Sequence, residues 1–368
     1  MRVLITGANG FVGQNLIAHL AERPDIELRR FTRGDSLESL SQLVAQVDFV
    51  FHLAGVNRPQ DPHEFQTGNA DLTKALCIAV RNSGRKIPVL YTSSSQAELD
   101  NPYGKSKREA EQQLLDLNAT HGSPVYLFRL PNVFGKWAKP NYNSAVATFC
   151  YNITRDLPIQ INDPAARINL VYVDDVVTRF ISIMDNPLAA EPFVNVEPVH
   201  SIGVGELAEK LYAFRDSRQT LTTEAVGAGL TRALYSTYVS YLPPDRFSYQ
   251  VPKYGDPRGV FVEMLKTKDS GQFSFFTAHS GVTRGGHYHH SKTEKFLVIK
   301  GKARFRFRHI VTADSFELVT SGEQPEIVET VPGWSHDITN IGEDEMIVML
   351  WANEIFDRER PDTYTHQV

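Results

Sequence analysis

Residues 1–13 read MRVLITGANGFVG, an apolar run that ends in Gly7-Ala8-Asn9-Gly10-Phe11-Val12-Gly13. The strand RVLIT leads into these glycines and a helix follows, so they occupy a strand-to-helix turn. Glycine there lets the backbone approach a pyrophosphate, which rests on the free amides of the helix N-terminus. Working outward, ELRRF, Leu37–Val44, DFVFHLA, Glu64–Arg81, IPVLYTS, Tyr103–Leu117 and PVYLFRL repeat the alternation of short apolar runs and amphipathic segments to about Pro187. That pattern predicts a parallel sheet covered by helices, an α/β domain of Rossmann type.

From about Asp245 the texture changes. FVEML, QFSFFTA, KFLVIKG, KARFRFRHI, EIVETV and EMIVML are strand-like segments separated by Gly, Pro and Asp. They predict an all-β domain of sandwich or barrel type. Pro243-Pro244 punctuates the change, which sets expected domains at 1–243 and 244–368. In Arg304-Phe-Arg306-Phe-Arg308 the alternation places phenylalanines inward and arginines outward.

The 368 residues are enough for two such cores, and 42% hydrophobic with 22% charged residues is ordinary globular composition. A net charge of −5 without a long basic run argues against nucleic-acid binding. The start has no secretory pattern, and there is no apolar stretch long enough to span a membrane. A soluble, cytoplasmic protein is expected. Cys77 and Cys150 are too few for a disulfide scaffold and read as small core residues.

Where dinucleotide-binding folds meet the adenosine ribose, an acidic residue favours NAD; this chain carries Arg30, Thr32 and Arg33 instead. Arg33 can pair with a 2′-phosphate in bidentate geometry, so NADP(H) is the expected cofactor. Tyr103-Gly-Lys-Ser-Lys107 opens a helix, and a spacing of four puts Tyr103 and Lys107 on one face. The ammonium is then expected to lower the phenol's pKa and let it shuttle protons. Ser93, Ser94 and Ser95 end the preceding strand, ready to bond the same substrate oxygen.

Together Gly7, Gly10, Gly13, the loop His52-Leu53-Ala54-Gly55, Asn69, the three serines, Tyr103, Lys107 and Arg129-Leu-Pro-Asn132-Val-Phe-Gly135 resemble the extended short-chain dehydrogenase/reductase family, over about 240 residues. The resemblance implies that Tyr103 is the general acid/base and that Lys107 orients it and binds the nicotinamide ribose. It makes Ser94 the hydroxyl, with Ser93 and Ser95 as alternatives. Phe11, Val12, His52, Leu53, Ala54 and Arg129 join the glycines and Arg33 on the cofactor side, and Asn132 falls to substrate. The chain departs from the family's nucleotide-sugar dehydratases, which carry an acidic pair after the catalytic Ser or Thr. Here Ser95-Gln96 follow Ser94, and Tyr103 comes nine residues on, with Glu98 and Asp100 as the only acids between. Simple carbonyl reduction is expected.

In the second domain, Gly281-VTRGG-His287-Tyr-His289-HSKT-Glu294-KFLVIK-Gly301 matches the first motif of the cupin family, and Pro332-Gly333-Trp-Ser-His336-Asp-Ile-Thr-Asn340 keeps part of the second. The resemblance implies a metal site of His287, His289, Glu294 and His336. Three imidazoles and a carboxylate suit Zn²⁺, Fe²⁺ or Mn²⁺, and zinc is expected because the domain implies no redox chemistry. Asp256-Pro-Arg258-Gly259-Val-Phe261-Val-Glu263 and Arg284-Gly-Gly-His287-Tyr also resemble nucleotide-sugar 3,5-epimerases, themselves cupins. In that family His287 matches the base next to the ketone, while Arg258 and Arg284 match arginines that approach the nucleotide diphosphate. Both roles meet on His287, and a metal-bound imidazole is a poor base; its assignment stays open.

The fusion of the two domains, with the segment SSSQAELDNPYGKSK, resembles the bifunctional capsule and O-antigen enzymes of the CapF/WbjC family. The resemblance implies a homodimer in which the cupin epimerises C3 of UDP-2-acetamido-2,6-dideoxy-4-hexulose. The N-terminal domain then reduces C4 with NADPH, giving UDP-2-acetamido-2,6-dideoxy-L-talose on the route to N-acetyl-L-fucosamine. Two other readings compete with it: a C4 epimerase that retains its cofactor beside a sugar-binding cupin, and a non-catalytic nucleotide sensor.

Overall fold

The computed structural model describes residues 1–187, 191–247, 249–289, 292–310, 312–331 and 333–368. Its contacts divide the chain into two compact bodies, Met1–Leu211 with Ala233–Leu242, and Tyr212–Arg232 with Pro243–Val368.

The first body is built on β1 (Arg2–Thr6), α1 (Phe11–Ala21), β2 (Glu27–Phe31), α2 (Leu37–Val44) and β3 (Phe49–His52). After the short helix α3 (His63–Phe65) come α4 (Leu72–Asn82), β4 (Val89–Ser94), α5 (Pro102–His121) and β5 (Val125–Leu130). The strands form one parallel sheet in the order β2-β1-β3-β4-β5. This is the α/β Rossmann-type sheet that the alternation predicts. The order reverses between β1 and β3, and ligands of doubly wound sheets bind at the carboxyl ends of strands beside such a reversal. The glycine loop, Leu53-Ala54 and Ser94 all stand at that edge because they terminate β1, β3 and β4. Beneath them, Leu4, Val50, Val89 and Leu127 pack against Leu40, Leu76, Val80, Ala110 and Leu114. A smaller sheet of β6 (Asn132–Phe134), β7 (Arg167–Tyr172) and β8 (His200–Gly203) belongs to the same body.

The second body is almost wholly β. One sheet joins β10 (Tyr254–Asp256), β11 (Gly259–Thr267), β12 (Gly271–Ala278), β19 (Met346–Ala352), β14 (Glu294–Lys300) and β17 (Ile327–Glu329) in that order. The short strand β9 (Thr222–Thr223) adds to it in parallel with β11. The other sheet runs β16 (Ser315–Ser321), β15 (Lys302–His309), β18 (Trp334–Asn340), β13 (Thr283–Tyr288), β20 (Tyr364–Thr365). Phe276, Phe296, Val298, Phe305, Phe307, Ile338 and Val348 from the two sheets share one core. The alternation in β15 falls as read: Phe305 and Phe307 are buried, Arg308 is exposed, and Arg306 Nε donates to Asp337 at 3.1 Å. Among the described residues no helix is long and apolar enough to cross a membrane. Both cysteines are free and buried, and burial pushes the Cys77 thiol up to about 12, so they act as core residues.

Phe305 is 1% exposed and packs edge-on to Phe296, with ring centroids 5.7 Å apart. Phe305→Ala should destabilise the second body by about 3–5 kcal/mol, the range for truncating a core phenylalanine. Phe316→Ala, at a side chain 57% exposed, should cost roughly 0.5 kcal/mol or less. Urea titrations followed by tryptophan fluorescence compare the two, and equal midpoints would contradict this core.

Candidate functional site

At the edge of the parallel sheet the chain makes a close-fitting turn. Gly7 has φ +69°, and a Cβ there would lie 2.6 Å from the Ala54 amide nitrogen; a Cβ on Gly13 would lie 2.4 Å from the Gly7 carbonyl oxygen. Both glycines are therefore required by close backbone approach. Helix α1 begins after Gly10 with no side-chain cap and no acidic residue in its first turn, where Phe11 and Val12 stand. Its first amides are open to an anion, so the loop fits the pyrophosphate of a dinucleotide. Leu53 and Ala54 donate their backbone N–H groups to the Thr6 carbonyl and hydroxyl, both at 3.2 Å, which fixes the opposite side of the turn.

His52 is 1% exposed, with its ring nitrogens 2.7 Å from the Thr6 hydroxyl and 2.9 Å from the Thr73 hydroxyl. Burial, with the nearby Lys107 charge, lowers its pKa to about 3. The imidazole supports the cofactor loop from below rather than facing it. Arg33 lies exposed in the turn after β2 and pairs with no other described residue. The acid nearest to it in the turn, Asp35, accepts from the Thr32 amide and hydroxyl at 2.7 and 2.9 Å. The turn therefore presents a free guanidinium while its carboxylate is tied down.

Tyr103 lies in the first turn of α5, where Asn101 caps the helix by accepting from the Gly104 amide at 2.7 Å. Of the three serines, Ser93 donates to Glu111 and Ser95 is exposed, while Ser94, which accepts from the Gln96 amide at 3.2 Å, is the one near enough to Tyr103 to oppose the rise of its pKa. Lys107 is 4% exposed and donates Nζ to the Thr92 carbonyl at 2.9 Å, 4.8 Å from the centre of the Tyr91 ring. Burial lowers its pKa to about 8, against the pull of Glu111. The expectation that Lys107 lowers the phenol is not met in this structure. Burial raises Tyr103, and Ser94 opposes that rise without reversing it. The reason is direction: from one helical face the ammonium reaches back to the end of β4 and toward Gly55.

Several groups support the site from behind, and of these Glu111 carries no motif in the sequence. Asn69 accepts from the Val56 amide and donates to the Val56 carbonyl and the Ser106 hydroxyl, pinning the loop after β3. It sits in a π-helical turn, Gln66–Asp71. Glu111, 2% exposed, receives Ser93 Oγ at 2.5 Å and Arg129 at 2.9 and 2.6 Å. Arg129 also pairs with Glu98 at 3.0 Å, so its guanidinium braces β5, α5 and the turn after Ser94. Its Nε and Nη2 are taken by Glu111. Asn132 is exposed and donates to the Asn169 carbonyl at 3.2 Å.

In the second body His287, His289, Glu294 and His336 converge, each offering one donor atom, all within 4.8 Å of one another. His287 is on β13, His289 lies one residue past it, Glu294 opens β14 and His336 is on β18. His289 Nε2 lies 3.2 Å and His336 Nε2 3.5 Å from Glu294 Oε2. Burial pushes the carboxyl up, but the hydrogen bonds and charges of the histidines hold it well below its ordinary value. Burial lowers His287 to about 4, which leaves it neutral near pH 7, the form that binds metals. His336 Nδ1 has no hydrogen-bond partner among the described residues, and its Nε2 has only the 3.5 Å approach to Glu294 Oε2. A buried orphan imidazole is costly, and a divalent cation would satisfy it, so the four side chains fit a metal. Pro332, which opens the second motif, lies outside the described residues.

Arg258 pairs with Asp256 at 2.6 Å, and Arg284 lies 5.1 Å over the Phe276 ring with a buried, unpartnered Nε. Burial, and then repulsion by Arg258, lower Arg284 below the ordinary arginine value. The two guanidiniums thus form a small cationic patch with unused donors.

Comparison with known proteins matches both bodies. The model of the NAD dependent epimerase/dehydratase family covers residues 3–196, and that of the polysaccharide biosynthesis C-terminal domain covers residues 254–364. The chain is 68% identical to the UDP-2-acetamido-2,6-beta-L-arabino-hexul-4-ose reductase of Pseudomonas aeruginosa, over all of this chain and 99% of that one. The crystal structure of the capsular polysaccharide assembling protein CapF from Staphylococcus aureus superposes with a TM-score of 0.92 at 41% identity, covering both chains completely. The UDP-glucuronic acid 4-epimerase of Bacillus cereus shares the fold, with a TM-score of 0.56 at 17% identity over 66% of this chain and 98% of that one. With a family match over more than half its length and likeness to these capsule proteins from end to end, the chain belongs to the NAD dependent epimerase/dehydratase family as a CapF-like capsule enzyme.

Proposed function

We propose that this protein is a bifunctional nucleotide-sugar enzyme, with a reductase at 1–243 and an epimerase of cupin type at 244–368. The cupin epimerises C3 of UDP-2-acetamido-2,6-dideoxy-4-hexulose. The first domain then reduces the C4 ketone, giving UDP-2-acetamido-2,6-dideoxy-L-talose. The observation that carries this reading is the unbroken 68% identity to the Pseudomonas reductase, which spans both domains. The chemistry is coherent, because a C4 ketone acidifies the C3 proton and reduction afterwards locks the new configuration.

In the reductase, NADPH when bound supplies the hydride. Tyr103 Oη gives its proton to the oxygen at C4, and Ser94 Oγ holds that oxygen beside the phenol. The raised Tyr103 pKa keeps the phenol protonated, as a proton donor must be before the transfer. Lys107, charged and aimed at the loop after β3, is placed for the hydroxyls of the nicotinamide ribose. Glu98 and Asp100 are held by Arg129 and Lys105, which speaks against the extra acid and base that a dehydratase needs.

In the cupin, His287, His289, Glu294 and His336 are the proposed zinc ligands. A divalent ion there supplies a Lewis acid able to polarise a carbonyl. His287 is assigned to this ligand set rather than to the C3 base, because its ring joins the other three donors. Arg258 and Arg284 are proposed to receive the diphosphate of the UDP-sugar, which their free donors suit.

Three outcomes test these assignments. Tyr103→Phe should lower NADPH oxidation by about 10²–10⁴-fold, the usual scale for general acid catalysis. Deuterium from D₂O should still enter C3 of the keto sugar, as NMR would detect; loss of both activities together would place epimerisation in the reductase domain. Arg33→Ala should cost about 1–3 kcal/mol of NADPH binding and leave NADH binding nearly unchanged. Calorimetry showing equal NADPH affinity would move the 2′-phosphate contact elsewhere. Elemental analysis should find one divalent ion per chain and little in His336→Ala; an active, folded, metal-free protein would return His287 to the role of base.

A further inference from the structure

The segment from Asp362 to His366 runs along the metal motif. Strand β20 pairs with β13, His287 against Thr365 and Tyr288 against Tyr364, and the Tyr288 and Tyr364 rings stack at 5.4 Å. The His366 amide donates to the Gly286 carbonyl at 3.0 Å, and Ser335 Oγ donates to the His366 carbonyl at 2.7 Å. At the start of the segment, His289 Nδ1 meets the backbone carbonyl of Asp362. Asp362 Oδ2 accepts from the Lys292 amide at 2.8 Å, and Thr363 Oγ1 accepts from Lys292 Nζ at 3.0 Å. That buried ammonium is 3.9 Å from Glu294 Oε1.

We propose that Asp362–His366 is a strap that sets the tautomer of His289 and thereby the retention of the metal; this rests on the metal reading above. A carbonyl can only accept, so the imidazole facing Asp362 must carry its proton on Nδ1. With a cation in the cluster its lone pair is then on Nε2, the nitrogen directed at Glu294 and the centre of the cluster. Outer hydrogen bonds of this kind orient metal-binding histidines and strengthen them as ligands. Among the described residues, neither His287 nor His336 has a hydrogen-bond partner outside the cluster, so His289 is the ligand that the strap aligns in advance. Through Lys292 the same strap also holds a positive charge beside Glu294. Asp362 and Thr363 are positioning residues: they touch Lys292, and they keep the Asp362 carbonyl against His289.

The test uses the full chain loaded with Zn²⁺ and carrying Asp362→Ala with Thr363→Val. Zinc release to a chromogenic chelator should be about 10–100-fold faster than from the unsubstituted protein, the usual scale for loss of an outer partner. The apo forms should keep equal thermal midpoints, which separates this effect from general destabilisation. Nitrogen-15 NMR of the zinc-loaded protein should show His289 protonated on Nδ1, and the double variant should show a mixture of tautomers. Asp362→Asn, which still accepts from the Lys292 amide, should restore slow release. Each single variant is expected to give a smaller acceleration, which preserves the comparison if the double variant fails to fold. Unchanged release from folded variants, or His289 protonated on Nε2 in the unsubstituted protein, overturns the strap alone. An unsubstituted protein that retains no zinc overturns the metal reading and the strap with it.

Discussion

The Lys107 ammonium is buried at the end of β4, donating to the Thr92 carbonyl, and a charge so far from water persists only where dipoles and counter-charges compensate it. The neighbouring structure meets that requirement. Gly55 has no side chain because a Cβ there would lie 3.0 Å from both Lys107 Nζ and the Asn69 amide oxygen. Glu111, one turn along α5, places a carboxylate behind the lysine and takes Ser93 and Arg129 as its own partners. Arg129 reaches on to Glu98 in the turn that follows Ser94. One buried charge thus ties together the cofactor loop, the serine turn and the helix that carries Tyr103.

The second body solves a similar problem by convergence. Glu294 is compensated by His289, His336 and Lys292, which come from the ends of β13 and β14 and from β18. Aromatic side chains wall the cluster, with Phe296 and Phe307 each about 6.4 Å from the His336 ring. Low polarity strengthens every electrostatic interaction inside and raises the cost of each unsatisfied nitrogen. The β-bulge between Gly285 and His287 turns the strand where its histidine enters the cluster, as bulges near active sites do.

The two centres divide the proposed chemistry by kind. The first offers a phenol, a hydroxyl and a cation beside a phosphate-binding turn, which suits protonation of a developing alkoxide. The second offers imidazoles and a carboxylate, which suits a cation able to polarise a ketone. Neither arrangement has the surplus free acid and base at the reductase turn that elimination of water would need.

Local sequence was enough for the parts that depend on spacing along one element. The glycine turn, the Tyr103–Lys107 pair on one helical face and the Phe305/Phe307 alternation follow from the pitch of a helix or the pleat of a strand. The residues that converge in the second body, His287, His289, Glu294 and His336, were legible for the same reason, since each lies within a few residues of a strand end. Contacts between distant segments were not legible. Nothing local to Asp362 announces His289, 73 residues earlier, and nothing in α5 announces that Glu111 will receive Ser93 and Arg129. The sequence named His52 and Arg129 on the cofactor side, and the tertiary structure adds their protein partners, Thr6 and Thr73 for the imidazole and Glu111 and Glu98 for the guanidinium. That structure also showed the Thr92 carbonyl as the partner of the Lys107 ammonium. By itself the sequence determined which residues share a face and which turns need glycine, because backbone geometry alone decides those. Only the tertiary structure decided which polar groups become partners, because that choice depends on which side chains are removed from water together.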